Sequence, residues 1–298
     1  MIILGISSMF HDAAVTVVKS GKILFAGHSE RYSREKNDAF LNHELIDEAL
    51  SYGKPGVIVL HENAKAKKRR QFFSGNWDAR HEPTQAEWIE KFYPQLAGIP
   101  VKEYWHHETH AAAGVLTSPF KECAVVVIDA IGEYDTCSIW QWQNKELNKI
   151  HDVRFPSSLG LFYSAMTAYV GLKPMEDEYI LMGMAAYGDK KKYRALSRQM
   201  GKDFFKHPSA WTNLRDSCLM KKNLQKGLPD GYFGEADDFD IAAAAQMQVE
   251  DRVLAYAEYA RELTGSNNLV FMGGVALNCV ANSRLYEVGY DQVHIMPN

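Results

Sequence analysis

Two histidines four residues apart, His106 and His110, are the first side chains in this sequence that could do chemistry. If the Ala-rich stretch that carries them is a helix, residues four apart lie on one face. Two neutral imidazoles so placed can grip one divalent metal ion. His107 sits about 100° further round such a helix and points elsewhere. A zinc-protease helix is excluded. His-Glu-x-x-His starting at His107 needs a histidine where Ala111 stands, and starting at His106 it needs a glutamate where His107 stands. Other candidates lie in turns. His11-Asp12 offers a general base with a carboxylate beside it, because imidazole is the side chain best matched to proton transfer near neutral pH. Asp129-Ala130-Ile131-Gly132-Glu133 ends a strand, where glycine lets backbone N–H groups approach a phosphate or ribose. Gly273-Gly274 follows an apolar run and opens a helical stretch, whose N-terminus attracts phosphate, with Asn278 on its first turns.

The elements that must position these groups come in a repeated order. Met1 to Ser8, Ala13 to Lys19 and Lys22 to Ser29 read as three strands of an antiparallel meander. Phe40 to Ser51 has a helical apolar period, Val57 to Leu60 is a short buried strand, Thr84 to Leu96 is a helix and Val101 to Trp105 a strand. Between them Lys65-Ala66-Lys67-Lys68-Arg69-Arg70 reads as a solvated loop, with a phosphate-attracting patch as the functional option.

The order then restarts. Cys123 to Ala130, Asp135 to Trp142 and Leu147 to Arg154 form a second meander, followed by helices at Ser157 to Gly171 and Met175 to Tyr187. Residues 189 to 238 are polar with weak periodicity and read as an irregular insertion. Phe239 to Leu263 is a long helix, Asn268 to Met272 a strand, Val275 to Tyr286 a helix and Gln292 to Met296 a last strand. This is a repeat of element order, not of sequence. It predicts an α/β protein of two similar halves, 1–121 and 122–298, with His11 and Asp129 facing each other across a nucleotide cleft. A Rossmann reading is weaker, since no Gly-x-Gly-x-x-Gly follows the first strand.

The totals agree with an ordinary globular chain. Its 298 residues are 46% hydrophobic and 23% charged, and its formal net charge of -4 argues against a protein that coats nucleic acid generally. No apolar run approaches the ~18 residues of a membrane span. Cys123, Cys137, Cys218 and Cys279 are far apart with no Cys-x-x-Cys spacing, which predicts reduced thiols and a cytoplasmic location.

Several stretches together carry a more specific resemblance. They are His11-Asp12-Ala13-Ala14, Glu30-Arg31-Tyr32-Ser33-Arg34, His106 to Ala112, Ser118-Pro119-Phe120, Ser158 to Tyr163, Met182 to Gly188 and Gly273 to Asn282. The sequence resembles the carbamoyltransferase family that includes nodulation and antibiotic O-carbamoyltransferases. The resemblance implies a duplicated actin/Hsp70-like (ASKHA) nucleotide-binding fold, related to the transferases that place threonylcarbamoyl on tRNA. It implies a divalent metal, iron, on His106 and His110. It also implies transfer of a carbamoyl group to a small hydroxylated acceptor from carbamoyl-adenylate, itself made from carbamoyl phosphate and ATP. His11 and Asp12 are then the expected catalytic pair. Asp129, Gly132, Glu133, Gly273, Gly274 and Asn278 are the expected nucleotide binders, and Glu30, Arg31 and Lys36 are expected on the acceptor side.

The sequence departs from the family pattern in three places. The family continues past its last strand with a Gly-Asp segment whose aspartate is the third metal ligand, whereas here Met296-Pro297-Asn298 is reached first. The adenylate-forming domain does not follow, and Ile180 stands where relatives commonly have lysine. The expectation is therefore a weak two-histidine metal site. Transfer would need a second polypeptide or a further C-terminal domain, with self-association as the other route to cover the end of the second half. The rival functions are a phosphoryl-transferring kinase of the same fold and a non-catalytic nucleotide-binding subunit.

Overall fold

The computed structural model describes residues 1–296. Backbone contacts divide the chain into two units, Met1–Thr109 and His110 onward. The expected boundary lay after residue 121. It falls earlier because the helix carrying the histidines packs most of its length on the second sheet.

In the first unit, β1 (Ile2–Ser7), β2 (Ala14–Lys19) and β3 (Lys22–His28) form the antiparallel meander read from the sequence. β4 (Val57–Leu60) joins β1 in parallel, Ile3 opposite Val57, and β5 (Val101–Glu103) extends the sheet to the order β3-β2-β1-β4-β5. The helices are α1 (Glu30–Ser33), α2 (His43–Ser51), α3 (Ala64–Phe73) and α4 (Gln85–Phe92). Asn42 caps α2 by accepting from the N–H groups of Glu44 and Leu45, and Thr84 with Glu87 forms a capping box on α4. Leu4, Ile6, Val15, Val17, Leu45, Ile46, Ile58 and Ile89 pack between sheet and helices. The basic run is helix α3, not the loop expected. Asn63 caps it through the N–H of Ala66, and straight-chain Lys, Arg and Gln are good helix formers wherever no apolar period is needed.

The helix α5 (His106–Thr117) crosses the boundary. The second unit then repeats the topology. β6 (Cys123–Ile128), β7 (Asp135–Gln143) and β8 (Glu146–Arg154) are an antiparallel meander. β9 (Asn268–Met272) pairs in parallel with β6, and β10 (Gln292–His294) with β9, giving β8-β7-β6-β9-β10. That is the first sheet's order element for element. Every residue of β6 is buried because both its faces are covered. Ala124, Val126 and Ile128 face a core shared with α6 (Leu159–Tyr169) and α9 (Asp238–Thr264). Cys123, Val125 and Val127 face Ala111 and Val115 of α5.

Between α6 and α9 lie α7 (Glu178–Met184) and α8 (Lys190–Phe204). The insertion after residue 189 is thus not irregular throughout: α8 runs 15 residues, capped by Asp189. Its Ser197, Met200, Gly201 and Phe204 are buried. Arg252, on α9 and fully buried, fastens the rest of the insertion. It donates to the backbone oxygens of Ser217 and His207 and to Gln248 Oε1, with its guanidinium over the Phe205 ring. Burial pushes its ionisation down to about 10, so a full charge is still held in this core at neutral pH. The long helix expected at Val275 to Tyr286 is instead a broken series, a 3₁₀ turn at Gly274–Leu277, α10 (Cys279–Asn282) and another 3₁₀ turn at Leu285–Val288. Asn278 breaks it by leaving helical geometry and capping α10 with its own side chain.

Replacing Arg252 by methionine keeps the packing volume but strands its carbonyl partners. Arg252→Met should cost about 3 kcal/mol of stability, read as a lowered urea midpoint. An unchanged midpoint would show that the insertion is held by its apolar contacts alone.

Candidate metal centre and its surrounding turns

His106 and His110 fall one turn apart on α5, as their spacing predicts. Asp129 follows the last residue of β6, and its Oδ2 lies 3.3 Å from His110 Nε2. One ligand atom from each of His106, His110 and Asp129 can be chosen so that all lie within 4.8 Å of one another. All three side chains are half-buried. The sequence reading left the histidine pair without a third ligand inside this chain and gave Asp129 to the nucleotide. The structure places Asp129 at the histidines. Two imidazoles and a carboxylate are a donor set suited to a divalent transition metal, with open positions left for water or substrate.

Close backbone approaches set this geometry. A Cβ on Gly114 would lie 2.4 Å from Val270 Cγ1 and 2.7 Å from Met272 Cγ, so only glycine lets α5 settle on β9. Gly273 has φ +92°, and a Cβ there would meet the Ile128 oxygen at 2.4 Å. The Gly273–Gly274 turn is thereby pressed against the end of β6, with Asp129 Oδ1 at 3.0 Å from the Cβ position of Gly274. Asp129 Oδ1 also accepts from the Ala130 N–H at 2.7 Å, which fixes the carboxylate's rotation.

The other residues expected to bind nucleotide divide. Gly273 and Gly274 remain accessible at the turn. Gly132 and Glu133 are buried, and the Gly132 N–H closes the β6–β7 turn onto the Asp135 oxygen at 2.9 Å. Asn278 is buried, and its amide is used within the protein. Nδ2 donates to Gln246 Oε1 at 2.8 Å, and Oδ1 accepts from Gln246 Nε2 and from the Ala281 N–H. Tyr163 also donates to Gln246 Oε1, while Gln246 donates to Glu250, which holds Arg284. Burial pushes the Tyr163 hydroxyl well up, so it stays a donor. Sequence reading missed Gln246, Glu250 and Arg284. The only signal available was polar residues interrupting the apolar face of α9.

In the first unit, His11 and Asp12 lie in the turn joining β1 to β2, and Asp12 Oδ2 is 2.8 Å from His11 Nδ1. Two non-glycine residues there, Met9 (φ 69°) and Asp12 (φ 50°), are held in the left-handed region. Hydrogen bonds from Met9 N–H to the Ala39 oxygen and from Ala13 N–H to the Asp38 oxygen, both 2.7 Å, pin the turn. Glu30 Oε2 accepts from the Asn37 N–H at 3.2 Å, which ties the 30–37 loop, while Arg31 and Lys36 are exposed.

Comparison with known proteins agrees with this fold. The chain has the duplicated actin/Hsp70-like α/β fold. It matches component A of (R)-2-hydroxyglutaryl-CoA dehydratase of Acidaminococcus fermentans with a TM-score of 0.53 at 15% identity, over 100% of this chain and 92% of that one. It matches HypF of T. kodakarensis with a TM-score of 0.52 at 11% identity, over 99% of this chain and 44% of that one. Residues 92–298 match the family described as Carbamoyltransferase N-terminus, and the chain belongs to that family. An uncharacterised protein of Synechocystis sp. is 31% identical over 99% of this chain and 54% of its own length. The 3'-hydroxymethylcephem-O-carbamoyltransferase of Streptomyces clavuligerus is 26% identical over 96% of this chain and 55% of that protein. The nodulation protein NolNO of Sinorhizobium fredii is 26% identical over 98% and 44%. The chain therefore spans about half the length of these relatives. Among the described residues no helix is long and apolar enough to cross a membrane, and all four cysteines are free thiols.

Titration with Co2+ as a spectroscopic probe should give one site per chain with d–d bands of an oxygen–nitrogen environment. Asp129→Asn and His106→Ala should each weaken it at least tenfold. Equal affinity in Asp129→Asn would return the site to two histidines.

Proposed function

We propose that this chain is the transferase part of an O-carbamoyltransferase, moving a carbamoyl group from carbamoyl-adenylate to a hydroxyl of a small acceptor. The observation that carries the reading is the His106–His110–Asp129 cluster beside the Gly273–Gly274 turn in a chain of this family. The family supplies the carbamoyl chemistry and the fold supplies a frame for ATP or an adenylate. Carbamoyl phosphate and ATP are the expected sources of the donor. The adenylating step belongs to a partner or to another part of a longer protein.

Carbamoyl-adenylate is a mixed anhydride, with AMP as a good leaving group. The acceptor hydroxyl is a weak nucleophile at neutral pH and needs a base. His11 is held at Nδ1 by Asp12, which leaves Nε2 to take the hydroxyl proton as the acceptor oxygen forms its bond to the carbamoyl carbon. The carbon–oxygen bond to AMP then breaks, and the products are a carbamate ester and AMP. A divalent metal, iron in the family's pattern, held by His106, His110 and Asp129 would supply positive charge against the phosphate or a polarised carbonyl oxygen. The accessible Gly273–Gly274 backbone would let the nucleotide approach closely. Arg31 and Lys36 would attract an acceptor bearing negative charge, and Glu30 shapes their loop.

With carbamoyl-adenylate generated in situ by the adenylate-forming part of a relative, the chain should convert a panel of hydroxylated acceptors to carbamate esters and AMP. His11→Ala should slow transfer about 10²- to 10⁴-fold while adenylate still accumulates. Phosphorylated acceptor and ADP appearing instead would make the protein a kinase of this fold, and unchanged transfer by His11→Ala would remove the histidine from the mechanism.

A further inference from the structure

The insertion carries a charge quite unlike the rest of the chain. Its residues 189–226 contain eleven lysines and arginines and three aspartates, a net +8 within a protein of net -4, and the four carboxylates of 227–238 bring the whole insertion to +4. On α8, Lys190, Arg194, Arg198 and Lys202 recur every fourth residue, so they form one stripe that flanks the buried face of the helix. The stripe is about 18 Å long. Arg194 and Arg198 are exposed, and among the described residues neither has an ion-pair or hydrogen-bond partner. Cations concentrated in this way without carboxylates to neutralise them are not a structural ion-pair network.

The stripe borders a notch of about 340 Å3, lined by Arg194, Arg198, Ser209, Met247 and Asp251 among others. Trp211 follows Ala210 of the notch wall and is 44% exposed, and its indole N–H faces the Asp251 carboxyl. Asp251 is the one carboxylate in a lining that also holds Arg194 and Arg198. The loop carrying Ser209 and Trp211 is not loose, because Arg252 holds its His207 and Pro208 carbonyls.

We propose that this face binds single-stranded nucleic acid, with consecutive phosphates on the Lys190–Arg194–Arg198–Lys202 stripe and one base in the notch beside Trp211. A basic track with an exposed aromatic next to it is the general solution for a flexible polyanion whose bases can stack. The carboxylate of Asp251 suits the exocyclic amino group of adenine or cytosine, which donates to it, and suits uracil or thymine less, whose single imino N–H is flanked by two carbonyl oxygens that a carboxylate repels. An anionic lipid surface fits less well. The apolar residues of α8 are spent inside the protein, on the core shared with α9, so the helix has no apolar face to sink into a membrane.

Fluorescence anisotropy with fluorescein-labelled 12-mers of oligoadenylate and oligouridylate tests this on the full chain. Oligoadenylate should bind, with log K falling against log salt at a slope of about -3 for four phosphates on a single strand. Arg194→Gln with Arg198→Gln should weaken binding at least tenfold and make the slope shallower by about 1.4. Trp211→Ala should lose about fivefold or more at every salt concentration while Trp211→Phe keeps binding. Asp251→Asn should remove the preference for oligoadenylate over oligouridylate. The substituted arginines are exposed and unpaired, so an unchanged melting curve serves as the folding control. The proposal is overturned if neither oligonucleotide binds at 50 mM salt. It is equally overturned if vesicles containing 30% phosphatidylserine are bound and oligonucleotides are not, or if Lys65→Gln with Lys68→Gln on α3 abolishes binding while the α8 variant keeps it.

Discussion

The second unit depends on three places where backbone comes closer than a Cβ would allow. Gly114 lets α5 lie on β9, Gly273 lets the following turn press on the end of β6, and Gly160 lets the start of α6 meet Ala130, where a Cβ would sit 2.7 Å from backbone atoms. The last two converge on one spot, the end of β6 and the Asp129 that follows it, while the first seats the histidine helix on the neighbouring strand. Asp129 is thus confined by the start of α6 and by the Gly273–Gly274 turn, and the Ala130 N–H holds its carboxylate. A preorganised ligand loses little entropy when an ion binds, because the ordering was completed during folding. The energetic burden falls on packing, since the glycines surrender conformational entropy that apolar contacts in both cores must offset.

The same logic separates what was legible in the sequence from what was not. Alternation in residues 2–28 and 123–154 announced both meanders, because a strand with one covered face must alternate and a doubly covered one must be apolar throughout. The order of elements announced the duplication, and the two sheets share it strand for strand. The helices α3 and α8 were missed for a common reason. Their sequences are dominated by lysine and arginine, which leaves α3 with no apolar stripe and obscures the one on α8 formed by Tyr193, Leu196, Met200 and Phe204, and their caps Asn63 and Asp189 are single residues. Asp129 was read as a nucleotide ligand, and the structure sets its carboxylate against His110. Only the parallel pairing of β6 with β9, and the seat of α5 upon them, brings it to His110, and neither contact is local in sequence. The hydrogen bonds of Asn278 were not legible, because an asparagine after a glycine turn has two uses and the buried Gln246 that it pairs with lies 32 residues earlier.

Membership of the carbamoyltransferase family and the actin/Hsp70-like fold give the two turns of this chain a common meaning. In each half the connection after the first strand carries the polar residues, His11 and Asp12 in one and Asp129 in the other. Duplication supplied two equivalent positions, and the sequence then diverged at them. One became a strained turn with an oriented imidazole, and the other became an acidic strand end beside a helix bearing two more imidazoles. The rest of each sheet remained a conventional scaffold of Val, Ile and Leu.

The way Arg252 and its helix receive the insertion has an evolutionary consequence. Apart from the stack on the Phe205 ring, its ties there are hydrogen bonds to main-chain carbonyls or to a neighbour on its own helix, and Gln248 grips the Ser197 carbonyl. Main-chain oxygens are the same whatever side chain is attached. The long helix therefore acts as a socket that accepts a loop by its backbone and ignores its exterior. Surface residues of residues 189–226 can drift, gain charge or change partner without disturbing the sheet below. Within one frame, this is where new specificity can be written at least cost to folding.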